Sequence, residues 1–337
     1  MASILGILLT LLMLEGLTSE ATSFNSDVDD SMIQLYEEWK VKYGREYNDV
    51  DEQAYRYKVF QDNVKFIQSF NKQTDRTYTL GINRFADLTN AEFMSRYAGY
   101  KPGKRIDSGA ASFRYAEVDS VPPKMDWRKQ GVVTRVKDQG NCGSCWAFSA
   151  IGAIEGIHKL KTGELVSLSE QELVDCDVKG ENKGCNGGEM QAAFDFIMKK
   201  GGIASEENYP YVGEDDLCAT SKTKQIAASI GGYEELPVND ESALMKAVAN
   251  QPVSMAMEAS YEFQFYEKGV FNGPCGTELN HGVLAVGYGE TNGTKYWLVK
   301  NSWSADWGDK GYFFIERDIK KKGGRCGIAM DNSYPTD

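Results

Sequence analysis

The 337-residue chain is short of histidine, of positive charge and of long apolar runs, and each shortage excludes something. Its two histidines, His158 and His281, are far apart, and no second Cys-x-x-Cys accompanies Cys142-Gly143-Ser144-Cys145, which argues against a structural zinc site. The 37 Lys and Arg against 49 Asp and Glu give a net charge of −12 with no basic stripe, which argues against a nucleic-acid partner. Lys320-Lys321-Lys322 reads as a solvated turn. A short, nearly unbroken apolar run, Ile4 to Leu14, is too short to span a bilayer comfortably, and Gly16, Ser19 and Ala21 after it suit signal-peptidase cleavage. Residues 1–19 therefore read as a secretory leader, although no early Lys or Arg precedes the run. No later segment reads as transmembrane, and there are no tandem repeats.

A secretory route permits disulfides, and seven cysteines leave one thiol over. That thiol is either a buried spare, half of an intermolecular bridge, or a group kept free for chemistry. Gln139-Gly140-Asn141-Cys142-Gly143-Ser144-Cys145-Trp146 favours chemistry at Cys145. Apolar residues at helical spacing (Ala147, Ala150, Ile151, Ile154, Ile157) begin directly after it and end at Lys159, Lys161 and Gly163. A thiol at a helix N-terminus is pushed towards thiolate by the macrodipole, and a nearby imidazolium would push harder. His158 lies thirteen residues along that helix, roughly 20 Å away at 1.5 Å per residue, so the partner base is His281. A rival reading makes Cys142 and Cys145 a redox pair, but the thioredoxin-like βαβ context it needs is not evident.

Residues from about Ser31 to Asn71 read as two polar helices bearing Trp39, Tyr43, Tyr55, Phe60, Phe66 and Phe70. Gly99 to Ser112 reads as an exposed linker, and Val121-Pro122-Pro123 as a domain boundary. Next come helical signals: a capping box at Ser169-Glu170-Gln171-Glu172, and an apolar face of Met190, Ala193, Phe194, Ile197 and Met198 ending at Gly201-Gly202. Beyond Pro252 the pattern turns to strands at Val253–Ala259, Gly282–Tyr288, Lys295–Lys300 and Gly311–Arg317. A helical half followed by a strand half predicts an α+β fold of two packed lobes with a cleft between them.

Cys142-Gly143-Ser144-Cys145-Trp146 resembles the active-site motif of papain-like cysteine proteases, whose His and Asn lie roughly 130–150 residues downstream. Leu279-Asn280-His281-Gly282 falls within that spacing and Lys300-Asn301-Ser302-Trp303 just beyond it. Upstream, Glu52, Arg56, Phe60, Asn63, Ile67 and Asn71 match the family's propeptide helix pattern, and Gly81, Asn83, Phe85 and Asp87 its second propeptide motif. Nearly the whole chain after the leader is covered, most similar to the plant, cathepsin-L-like branch. The resemblance implies a leader (1–19), a helical inhibitory propeptide (20–120) and a mature peptidase (121–337) made of a helical lobe and an antiparallel β-barrel-like lobe. It implies a cysteine endopeptidase with Cys145 as nucleophile, His281 as base and then acid, and Asn301 orienting the ring. Gln139 and the Cys145 N–H would form the oxyanion hole, and Trp303 would cover the His281–Asn301 bond. It implies disulfides Cys142–Cys185, Cys176–Cys218 and Cys275–Cys326, leaving Cys145 free. Neither metal nor cofactor is implied. The partners would be protein and peptide substrates, the chain's own propeptide and cystatin-like inhibitors. The protein would be a monomer without a membrane anchor, vacuolar, lysosomal or extracellular, and activated in acid. An inactive, peptide-binding or inhibitory family member is the non-enzymatic alternative.

By the same resemblance Gly187 and Gly188 would present backbone to an extended substrate. Met190, Ala256, Leu279 and Asp331 would form the pocket for the second residue before the cut, favouring Leu, Phe or Val. Asp331 departs from the family's small or apolar floor. It is either turned to solvent or adds tolerance for Arg and Lys. Glu189 and Ser304 depart as well, Ser304 standing where the family has Gly. Asp87 is read as an acid switch or a helix cap, and Asn292-Gly293-Thr294, in an expected hairpin turn, as an N-glycosylation sequon.

Overall fold

The computed structural model describes residues 30–103 and 113–337, so the leader expected at 1–19 and much of the expected linker lie outside the described residues. Two helices open the chain, α1 over residues 30–43 and α2 over Val50–Asn71. Up to Phe66 the chain forms a compact unit of its own, in which Tyr36, Trp39, Tyr57 and Phe60 pack with ring centroids 5.0–6.0 Å apart. Glu52 and Arg56 pair across one helical turn at 3.8 Å.

The second compact unit runs from Ile67 to Asp337. The end of α2 is tied to strand β1 (Tyr78–Leu80) by the Asn71 side chain, which donates to the Leu80 carbonyl (2.6 Å) and accepts from its N–H (3.0 Å). Helix α3 (Asn90–Tyr97) follows, and Thr89 and Glu92 form a full capping box at its start. Asp87 is therefore not the helix cap, and its side chain is buried.

After the short strand β2 (Met125–Asp126) come the helices α4 (Cys145–Thr162), α5 (Glu170–Cys176) and α6 (Met190–Lys200). Left-handed glycines end two of them, Gly163 after α4 (φ 81) and Gly201 after α6 (φ 91). The capping box expected at Ser169 is half made. Its hydroxyl accepts from the Glu172 N–H, but the Glu172 carboxylate turns away to the Ala204 N–H (2.8 Å) and Lys200 (2.6 Å).

The remaining elements are mostly strands: β3 (Ile203–Ala204), β4 (Ile226–Ala228), β5 (Gly232–Glu235), β6 (Val253–Met257), β7 (Tyr266–Phe271), β8 (His281–Thr291), β9 (Thr294–Lys300), β10 (Tyr312–Glu316) and β11 (Asn332–Thr336). Helices α7 (Glu241–Val248) and α8 (Tyr261–Gln264) interrupt them. The main sheet runs β1-β7-β10-β9-β8-β6-β11-β5, with β2 beside β8. It ends on β1 and β5 and is not closed, so the expected barrel-like lobe is an open sheet. One of its pairs, β7 with β10, is parallel. Helix α4 is buried nearly all round against this sheet, and its glycines permit the approach. A Cβ at Gly156 would lie 2.6 Å from the Pro252 ring.

Ser304 has a φ of 71°, a left-handed backbone that an L side chain disfavours. Ser304→Gly is expected to stabilise the protein by about 0.5–1 kcal/mol, read as a small rise in Tm without loss of ordered structure.

Candidate active site

Cys145 is the first residue of α4, is fully buried, and is free, while the other six cysteines pair as Cys142–Cys185, Cys176–Cys218 and Cys275–Cys326. Cys142 is therefore committed to Cys185 and not to a redox couple with Cys145. The turn before Cys145 is held by three groups. Gln139 donates from Nε2 to the Cys142 carbonyl (2.8 Å) and accepts at Oε1 from the Ser302 hydroxyl (2.7 Å), which fixes the orientation of its amide. The Tyr211 hydroxyl donates to the Gln139 carbonyl (2.7 Å) and sits 2.7 Å from Ser144 Oγ. Tyr211 has no sequence signal, because it reaches this turn only through the tertiary fold.

His281 begins β8 opposite Met257 on β6, and Asn301 follows β9. Asn301 Oδ1 accepts from the Ser302 N–H (2.8 Å) and also lies 2.8 Å from His281 Nε2. An amide oxygen cannot donate, so Nε2 carries the proton and the neutral ring presents its lone pair at Nδ1. Trp303 stacks on the imidazole with centroids 4.4 Å apart. Gly282, next to His281, packs on the backbone of Cys145, where a Cβ would lie 3.1 Å from the Cys145 carbonyl oxygen. His158 sits near the far end of α4.

A covering segment explains the burial. The Gly188 N–H donates to the Gly99 carbonyl (3.0 Å), the Lys101 N–H to the Gly188 carbonyl (3.0 Å), and the Tyr100 N–H to the Asn280 carbonyl (2.9 Å). Tyr100 pairs with Gly188 in parallel sense. Any side chain at Gly99 would overlap the Gly143 carbonyl, two residues before Cys145. The Tyr97 carbonyl accepts from Gln139 Nε2 at 3.4 Å. Phe85 and Phe93 pack edge-on against Trp303, and the buried Gln264 donates to the Phe85 (3.2 Å) and Leu88 (3.1 Å) carbonyls. In this covered state burial pushes the Cys145 thiol above its ordinary pKa. The same burial, opposed by the Asn301 contact, lowers His281 to about 4. Burial in the covered site thus disfavours the charged form of both groups, thiolate and imidazolium.

Of the expected cleft residues, Gly187, Gly188, Met190 and Ala256 are buried and Leu279 half-buried. Asp331 is buried rather than turned to solvent, and Glu189 is half-buried against the Gly103 backbone. Asn292 is exposed in the β8–β9 turn.

Residues 121–336 match the model of the papain family cysteine proteases, and residues 36–93 that of the cathepsin propeptide inhibitor domain. The chain belongs to the papain family of cysteine proteases. It is 51% identical over 344 residues to vignain of Vigna mungo, covering 99% of this chain and 94% of that one. Against vignain of Phaseolus vulgaris the identity is 53%, over 91% of this chain and 86% of that one. Among solved structures, a recombinant stem bromelain precursor superposes with a TM-score of 0.84 at 48% identity, covering 91% of this chain and 99% of that one. The proform of Amb a 11, a ragweed pollen allergen cysteine protease, does so with 0.83 at 45%, covering 91% and 95%. The protein is thus a cysteine-type endopeptidase in zymogen form, with its propeptide domain as intramolecular inhibitor.

This papain-family zymogen also buries charge behind Asn301. A cavity there is lined by Lys137, Glu155, Glu170, Lys300 and Asn301 among others. Lys137 Nζ donates to Glu155 (3.1 Å) and Glu170 (2.7 Å), and Lys300 Nζ to Thr134 (2.9 Å), whose hydroxyl donates to Glu155 (2.5 Å). Burial lowers Lys300 to about 8, while burial and the neighbouring Glu155 push Glu170 up to about 7 in spite of Lys137. A carboxyl whose folded pKa is raised contributes stability that is complete below the unfolded value near 4.5 and is lost as pH rises through 7. The protein should therefore be more stable at about pH 5 than at pH 8 through this group, by roughly 2–3 kcal/mol at most. Melting temperatures measured across that range should depend less on pH in Glu170→Gln than in the wild type.

Proposed function

We propose that the protein is a secreted or vacuolar endopeptidase that cuts peptide bonds through a Cys145–His281 thiolate–imidazolium pair once residues 20–120 have been removed. The observation that carries this is the imidazole whose Nε2 proton is fixed on Asn301, under Trp303, with its neighbour Gly282 packed on the backbone of Cys145, the free thiol. Uncovering the cleft returns water and dipoles to the pair, and the thiol proton passes to His281 Nδ1. The Cys145 thiolate then attacks the scissile carbonyl. The negative charge that develops on its oxygen is met by the Cys145 N–H and the Gln139 amide, the donor that faces the Tyr97 carbonyl in the zymogen. The imidazolium gives its proton to the leaving amine, and a thioester remains. Water then attacks the thioester while His281 takes its proton, releasing the acid and restoring the thiol. Substrate would lie along Gly187 and Gly188, with an apolar side chain against Met190, Ala256 and Leu279.

Activation in acid fits the signs of the charges at the interface, though not those of the catalytic pair. Covered, that pair holds one proton on sulfur; as an ion pair it holds one on nitrogen, so uncovering takes up none between their pKa values. Glu189, pushed up by burial, has the wrong sign, because acid favours its covered form. The ion pair of Arg84 with Asp138 ties the covering segment to the turn before Cys145, so loss of the Asp138 charge would loosen that segment, and this pair is the first candidate. The buried Asp87 is the second candidate. Secretion is supported by the leader pattern at 1–19, and glycan attachment by the exposure of Asn292.

Acidifying the purified precursor should shorten it to begin near Val121 and release activity on a Phe- or Leu-containing peptide. Cys145→Ala should do neither. Asp87→Asn and Asp138→Asn should mature at higher pH than the wild type, and unchanged pH profiles in both would remove these carboxylates as triggers. A wild-type precursor that is processed but cuts no peptide would support the inactive-member reading instead.

A further inference from the structure

The pocket beside Gly188 already holds a tyrosine. Tyr100 is buried there, and its hydroxyl donates to Asp331 Oδ2 at 2.5 Å. The other oxygen, Oδ1, accepts from Gln191 Nε2 at 2.6 Å. Gln191 is the second residue of α6 and is 7% exposed, and Asp331 is 4% exposed, with its carbonyl accepting from the Ala256 N–H at 3.0 Å. Gln191 Oε1 is buried without a hydrogen-bond partner, so the amide's orientation is set by Asp331. Helix α6 and the chain before β11 thus converge on one carboxylate, holding one oxygen and turning the other towards the occupant.

We propose that Gln191 and Asp331 form a hydroxyl-recognition pair that makes this protease prefer tyrosine, over phenylalanine or an aliphatic residue, at the second position before the cut. The inference rests on the proposed use of this pocket for substrate. An aromatic body fills the apolar wall of Met190 and Ala256, and the para-hydroxyl supplies the donor that Asp331 Oδ2 faces. A phenylalanine in the same place would not supply the hydroxyl that Asp331 Oδ2 accepts here, so the pocket penalises the missing hydroxyl more than it penalises a small change in apolar volume. The covering segment uses the same recognition while its backbone lies parallel to Gly188, because the pocket reads the side chain and not the direction of the chain.

The test is a pair of peptides identical except for Tyr or Phe at that position, assayed with the matured enzyme. The expected kcat/KM favours Tyr by about tenfold, and Asp331→Ala and Gln191→Leu each reduce that ratio, Asp331→Ala to one or below. A wild-type ratio near one, a ratio unchanged by Asp331→Ala, or a preference for Arg over Tyr would overturn the proposal. If neither peptide is cut, the catalytic reading fails and the pocket is judged in the precursor. There, Tyr100→Phe should speed alkylation of Cys145 about tenfold in the wild-type background and not in Asp331→Ala. Equal effects in the two backgrounds would overturn the pairing.

Discussion

The zymogen depends on how closely one stretch of backbone approaches another. Gly99 lies against Gly143, one position before Ser144 and two before the thiol; a Cβ on Gly99 would overlap the Gly143 carbonyl oxygen at 1.8 Å, and one on Gly143 would meet the Cys185 carbonyl oxygen at 2.6 Å. That approach lets ordinary strand-like hydrogen bonds to Gly188 and Asn280 drape the covering segment over Cys145. Water is excluded as a consequence, and the electrostatics follow. A charged thiolate and a charged imidazolium both become costly, so burial disfavours the ion pair proposed for the open enzyme. Inhibition in this account is desolvation as much as obstruction.

The helical and strand halves divide the work of keeping the site in register. The Cys142–Cys185 bridge and Tyr211 hold the turn that starts α4, while β8 and β9 carry His281 and Asn301 from the other side. The Ser302 hydroxyl joins the two halves through Gln139. Behind them Lys137, Glu155, Glu170 and Lys300 neutralise one another in a place where no single charge could be buried alone.

Much of this was legible in the chain because the chemistry uses rare residue types. With two histidines, one excluded by helix geometry, His281 is the one expected near Cys145, and the structure places it between Asn301 and Trp303; the odd cysteine count likewise pointed to the thiol that the structure leaves free. Helices with strong periods and glycine ends, α4 and α6, were readable for the same local reasons. Strands β5, β7 and β11 were not. They are short, β5 and β7 carry charges, β11 contains a proline, and only pairing with distant strands makes them strands. Tyr100, Gln191, Tyr211 and Gln264 are ordinary residues whose roles exist only through contacts across the fold. Asp331 stands out in the sequence, but whether it turns to solvent or into the pocket is not legible, because nothing local reveals that Gln191 and Tyr100 would receive a buried carboxylate. The open sheet was equally invisible, since closure depends on the ends β1 and β5, and β1 belongs to the propeptide side.

Cys145 is the only free thiol, so its alkylation rate can be followed without interference before and after maturation. The account predicts that the intact precursor reacts slowly throughout the range from about pH 4 to pH 7, and that the matured protein reacts rapidly at about pH 5, where an ordinary thiol is inert. Equal alkylation profiles for the two forms would contradict it, because they would mean that the covering segment does not hold the thiol in its neutral state.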